Sequence, residues 1–181
     1  MNNIIIYGSN YGTSKRYAEE MGRRMQVSVV SYKKLKDINE YTDIIYIGGL
    51  YAGGVCGMSK TLKKWKKNEK KSLCIISVGV SNHRAQENIE TIRKNIKLQL
   101  SDELYQMARI YHLRGGINYT KLSGPHKVMM GLLYKKCKSI PEEKRDEETK
   151  ALIETYNQIV DFVNFDELDA IVSDLNSLAL F

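Results

Sequence analysis

Proline is nearly missing. Two occur in 181 residues, Pro125 and Pro141, late in the chain where they punctuate helical segments, which excludes a proline-rich low-complexity protein. Cysteine is sparse too. Cys56, Cys74 and Cys137 are odd in number, far apart and without a C-x-x-C, so neither a disulfide framework nor a zinc site is expected, and reduced thiols in a cytoplasm fit best. The opening Met1-Asn2-Asn3-Ile4 has no basic region leading into a long apolar run, so no signal peptide is expected. The longest uncharged stretch, Ile44 to Met58, contains five glycines and is too short for a membrane span.

What is present describes a folded globular chain. The apolar fraction is 43%, and the length suits one domain with a sizeable core. The net charge of +7 is unevenly spread. Lys60, Lys63, Lys64, Lys66, Lys67, Lys70 and Lys71 crowd one segment, while Asp161 to Phe181 carries five acids and no base. The lysine run reads first as the solvated face of a surface helix, with Met58, Leu62 and Trp65 on the inner side, and second as a patch for an anionic surface.

Short runs rich in Ile, Val and Tyr predict strands at Ile4–Tyr7, Val27–Ser31, Ile44–Gly48 and Leu73–Val78, with Met107–Leu113 as a fifth. Helical spacing links Tyr17, Met21 and Met25, and again Ala85, Ile89, Ile92, Ile96 and Leu100. It also links Val128 with Leu132, and then Leu152, Tyr156, Ile159 and Val163. Residues 1–164 are expected to form the domain, and 165–181 a C-terminal amphipathic helix. Alternating strands and helices, with strands apolar throughout, predict an α/β fold around a doubly wound five-stranded parallel sheet. Ligands of such sheets bind beyond the carboxyl ends of the strands. That draws attention to four glycine- or polar-rich segments: Gly8–Ser14, Gly49–Gly57, Gly79–His83 and Arg114–Tyr119.

The first segment, Gly8-Ser9-Asn10-Tyr11-Gly12-Thr13-Ser14, runs from a strand into a helix N-terminus, where free N–H groups and the helix dipole suit a phosphate. It is not a Walker A loop, because no Lys-Ser/Thr follows at the required spacing. It is not a dinucleotide loop, because Gly8 and Gly12 stand too far apart and Ser31-Tyr32-Lys33, not an acid, follows strand two. A receiver domain would place an aspartate where Gly48-Gly49 stands, and no cysteine has the arginine six residues on that a small tyrosine phosphatase needs.

Ser9-Asn10-Tyr11-Gly12-Thr13-Ser14 resembles the T/S-x-T-G-x-T phosphate loop of the flavodoxin family, with Tyr11 in place of the usual small hydroxyl residue. The resemblance implies a sheet of order 2-1-3-4-5 and FMN as cofactor. It further implies that Ser9, Asn10, Tyr11, Gly12, Thr13 and Ser14 take the phosphate. Gly49, Leu50, Tyr51, Ala52 and Gly53, with Gly79, Val80, Ser81 and Asn82, would then enclose the ring, Tyr51 stacking on it. A later stretch, LRGGINYTKLSGPHKVMMGLLYKK, is similar to the menaquinone-dependent protoporphyrinogen oxidase branch, with Gly115, Tyr119 and the basic helix Lys127–Lys138 at matching places. The second loop departs from that branch, with Ala52 and Gly53 where an arginine and a tyrosine are usual.

The resemblance implies flavin redox chemistry with a redox partner or quinone-like acceptor, a cytoplasmic location and peripheral contact with anionic membrane. No nucleic-acid partner is expected, and oligomerisation stays open. The chain's basic character agrees, since one cation ~6 Å from a flavin at an effective dielectric of ~20 favours the reduced anion by roughly 3 kcal/mol. A short-chain electron carrier and a flavin-free interaction module are the alternatives. His83 and His112 read as non-catalytic.

Overall fold

The computed structural model describes residues 2–51, 54–66 and 71–177. β1 (Asn3–Gly8) leads to α1 (Thr13–Met25), β2 (Val29–Ser31) and β3 (Asp43–Tyr51). The two-residue strand β4 (Gly54–Val55) and the short α2 (Met58–Leu62) precede β5 (Ser72–Gly79), α3 (Gln86–Gln99), α4 (Asp102–Met107) and β6 (Ala108–Arg114). Then come β7 (Gly116–Asn118), α5 (Gly124–Lys138), α6 (Glu147–Thr155), β8 (Ile159–Asp161) and α7 (Glu167–Ser177).

The main sheet has the order β2-β1-β3-β5-β6, all parallel, with β4 an antiparallel appendage on β3. This is the doubly wound α/β architecture that the sequence pattern predicts, in the strand order that the resemblance implies. Its cause is visible in the alternation along β5: Leu73 and Ile75 join the core on one face with Trp65, Ile92, Ile96 and Leu104. Cys74 and Ile76 join the other with Tyr17, Met21, Leu168, Ile171 and Leu175. Strands buried on both faces need apolar side chains at consecutive positions. The inner side predicted for the lysine-rich segment is also present, with Met58, Leu62 and Trp65 all buried.

Three expectations are corrected. The helical period through Leu152, Tyr156, Ile159 and Val163 breaks, because α6 stops at Thr155 and Asn157 turns the chain with φ 59°. Ile159–Asp161 then pairs antiparallel with Gly116–Asn118, so the segment Arg114–Tyr119 holds a short strand. Strand two is shorter than Val27–Ser31, since Val27 donates to Gly22 O at the end of α1, where Gln26 takes φ 56°. Finally, Gly49, Leu50 and Tyr51 continue β3 instead of forming a loop, and Leu50 and Tyr51 pair with Val55 and Gly54.

Candidate functional site

The order of the sheet reverses at β1, which sends α1 and the connection after β3 to opposite faces; in sheets of this kind such a switch point borders a crevice at the carboxyl ends of the strands. The first loop lies there. Gly12 caps α1 at φ 97°, a conformation that favours glycine. No side chain caps the helix, no acid stands in its first turn, and the space a Cβ at Gly12 would occupy is open. Ser9 turns inward, its hydroxyl oxygen accepting the Gly12 N–H at 2.9 Å. Ser14 is buried in the first turn of α1. Asn10 approaches the next segment, with Cys56 Sγ 3.9 Å from its Oδ1.

Close backbone packing fuses the segments around this loop. A Cβ on Gly8 would stand 1.9 Å from Cys56 O, and one on Gly49 would meet the Tyr51 ring at 2.9 Å and Ser14 Oγ at 3.3 Å. The half-exposed Tyr51 faces Tyr11 with ring centroids 6.4 Å apart. Ala52 and Gly53 lie outside the described residues. A Cβ on Gly79 would touch Leu50, so the β5 end reaches the β3 end. Gly115 donates to Gly79 O at 2.6 Å, and the Thr13 hydroxyl donates to Gly116 O at 3.3 Å. All four sequence segments thus meet.

Their side chains divide. Val80 lends its carbonyl to the Arg114 guanidinium, at 2.9 Å and 3.2 Å, and Arg114 also lies 3.8 Å from the centre of the Phe162 ring. This fixes a positive charge against the β5 loop. The Ser81 hydroxyl and Asn82 are engaged locally instead: Asn88 Nδ2 donates to Ser81 Oγ at 3.0 Å and to Asn82 O at 2.7 Å, while Asn82 Oδ1 accepts the Arg84 N–H. What this loop presents to the crevice is therefore mainly backbone.

Burial favours the neutral ring at both nearby histidines. It pushes His112 down to about 4, and the ring accepts or donates at Ser77 Oγ, 2.7 Å from Nδ1. The same desolvation lowers His83, against the pull of Glu167.

Sequence reasoning missed three participants. The Tyr11 hydroxyl bonds His126 Nδ1 on the first turn of α5, and the two rings meet edge to face at 5.8 Å. Pro125 signals where that helix starts, but nothing local shows that it reaches the first loop. Arg114 and Glu167 were also missed, because their partners are distant in sequence.

α5 itself has two sides. Tyr134 stacks on Tyr156 at 4.0 Å and Cys137 is buried. Val128 (66%), Met129 (49%), Leu132 (65%) and Leu133 (39%) are exposed. The helix carries Lys127, Lys135, Lys136 and Lys138 and no acid. Beside it lies a cavity of about 330 Å³ lined by Tyr119, Thr120, Lys127, Tyr156, Asn157 and Ile159. Among the described residues no helix is long and apolar enough to cross a membrane.

A family model described as "Flavodoxin domain" matches residues 4–145. The chain belongs to that family. No curated protein matches it significantly. Similar solved structures include a flavodoxin from Streptococcus pneumoniae TIGR4, at 14% identity over 61% of this chain and 81% of that one, with a TM-score of 0.43. A flavoprotein from Lactobacillus acidophilus in complex with FMN is 12% identical over 62% of this chain and 91% of that one, with a TM-score of 0.41. A Fusobacterium nucleatum flavodoxin mutant bound to flavin mononucleotide is 13% identical over 66% and 71%, also with a TM-score of 0.41. This flavodoxin-domain chain thus combines a parallel sheet of order β2-β1-β3-β5-β6 with a glycine-bearing first loop at the carboxyl edge of that sheet.

Proposed function

We propose that this chain is an FMN-dependent oxidoreductase that passes electrons from a reduced substrate to a quinone-like acceptor, of the branch near the menaquinone-dependent protoporphyrinogen oxidases. The observation that carries the flavin is the open N-terminus of α1: uncapped, free of acids and set on a glycine at φ 97° at the switch point of the sheet. A dianionic phosphate is the group such a site favours. When bound, FMN would supply one- or two-electron transfer with N5 as the hydride port. The chain's part is to hold and polarise it. Ser9, Ser14 and the first-turn amides of α1, beginning with the Thr13 N–H, take the phosphate, Tyr51 offers a ring face, and the Gly79–Asn82 backbone takes the polar edge. Arg114, held by Val80 O, contributes the positive field that favours a reduced anion.

The acceptor side rests on α5. The adjoining cavity of about 330 Å³, with Tyr119 and Tyr156 in its wall, is of a size for a ring-shaped guest. The exposed Val128, Met129, Leu132 and Leu133, among lysines only, suit peripheral contact with an anionic membrane, where quinones dissolve.

The test is direct. Purified protein mixed with FMN should show a bound-flavin spectrum, and after anaerobic reduction a soluble menaquinone analogue should reoxidise it rapidly. Absence of a bound flavin would end the proposal; a bound flavin indifferent to quinones would replace it with a short-chain carrier.

The membrane contact has its own test. The protein should sediment with phosphatidylserine vesicles at low salt, and converting Lys135, Lys136 and Lys138 to Gln should weaken this by roughly a hundredfold, at about 1 kcal/mol per lysine. FMN content should not change. Sedimentation that is insensitive to these lysines would remove α5 as the docking face.

A further inference from the structure

The acids of the C-terminal segment are used as ties. Asp161 pairs with Arg16 at 2.7 Å, Asp169 with Arg24 at 2.5 Å, and Asp174 with Arg109 at 3.5 Å. Leu168, Ile171 and Leu175 of α7 are buried against Tyr17, Met21, Cys74 and Leu113. The segment is a strap across one face of the sheet.

Glu167 differs from the other ties in two ways. Its side chain is 20% exposed, against 52%, 76% and 44% for Asp161, Asp169 and Asp174. Its partners also stand on the loop that follows β5. Oε2 meets His83 Nε2 at 3.1 Å, and Oε1 accepts from Arg84 Nη2 at 3.1 Å. The loop is already held at its start, where Gly115 donates to Gly79 O and Arg114 to Val80 O. Glu167 fixes its far end. Without that tie, the loop beyond its start would keep only short-range holds: Asn88 on Ser81 and Asn82, and the turn bonds from Arg84 N and Ala85 N to Asn82, among the described residues.

We infer that Glu167 is a positioning residue for the cofactor site: through His83 and Arg84 it sets the conformation in which the Gly79–Asn82 backbone meets the flavin ring. This deepens the proposed function and rests on it for the identity of the ligand. The acidic strap, remote in sequence from every binding loop, thereby acts on cofactor affinity.

Glu167→Gln removes the charge while keeping the side-chain shape. Asp169→Asn is the control, because it breaks a tie of the same strap whose partner, Arg24, stands on α1 and not on the loop after β5. In the cofactor-free protein, amide exchange at Val80–Arg84 should quicken about tenfold in Glu167→Gln and stay at the wild-type rate in Asp169→Asn. FMN affinity should fall about fivefold in the first and hold in the second, since a mobile loop must be ordered on binding. Unchanged exchange at Val80–Arg84 would overturn the inference, as would equal losses of affinity in the two variants. If exchange quickens as expected but the wild type binds no FMN, the loop assignment stands and the proposed function fails.

Discussion

Gly8→Ala should be the most damaging single substitution at the crevice, costing about 3 kcal/mol or more in a denaturant titration. The added methyl would sit 1.9 Å from the Cys56 carbonyl oxygen and 3.1 Å from the Tyr46 hydroxyl. That carbonyl is not free to retreat. It accepts the Tyr46 hydroxyl at 2.7 Å, and the Cys56 N–H is tied to Gly49 O at 2.9 Å. Relief requires the segment after β4 to lift, which strands the hydroxyl of a fully buried tyrosine. FMN affinity should fall with it, because the same movement separates the first loop from Tyr51. Gly12→Ala supplies the contrast. Its φ of 97° disfavours alanine, but no atom lies within 4 Å of the new Cβ, so a cost of about 1–2 kcal/mol is expected. Should Gly8→Ala prove no more destabilising than Gly12→Ala, the close approach of Cys56 is wrong.

The parts of the molecule that were legible in advance are those whose cause is local. The runs Ile4–Ile6, Ile44–Ile47 and Leu73–Val78 are apolar at consecutive positions, Ser77 excepted, because both faces of the sheet are covered, and that pattern points to the α/β class. The glycines at the carboxyl edge of the sheet were legible for a related reason, as positions such as Gly8 and Gly49 where a side chain would collide with its neighbours. Ile159 shows the opposite case. It falls on the helical period of Leu152 and Tyr156, yet it enters a strand because Gly116–Asn118, far back in the chain, offers an antiparallel edge. Side-chain pairings across such distances leave no mark on periodicity. His126 on Tyr11 and Glu167 on His83 and Arg84 are of this kind. The five acids of the C-terminal segment were visible as a charge imbalance, but only the fold shows that four of them answer Arg16, Arg24, Arg109 and the pair His83 and Arg84.

Ser9→Ala combined with Ser14→Ala should lower FMN affinity by at least about tenfold while leaving riboflavin affinity almost unchanged. The reasoning starts from donors. Ser9 Oγ spends a lone pair on the Gly12 N–H, so its own hydrogen is available to an anion above the loop. Ser14 lies within the first turn of α1, buried beside Gly49, where the helix dipole already favours negative charge. A hydroxyl bond to a charged group contributes about 1.5–3 kcal/mol, so even partial replacement by backbone amides leaves a loss of at least about tenfold. Thr13 is less available, since its hydroxyl donates to Gly116 O. Riboflavin has the same ring and no phosphate, and it therefore separates the two halves of the site. Calorimetric titration of both ligands against wild type and the double variant decides the matter: equal weakening would mean that the first loop shapes the ring pocket, and that the phosphate is held elsewhere.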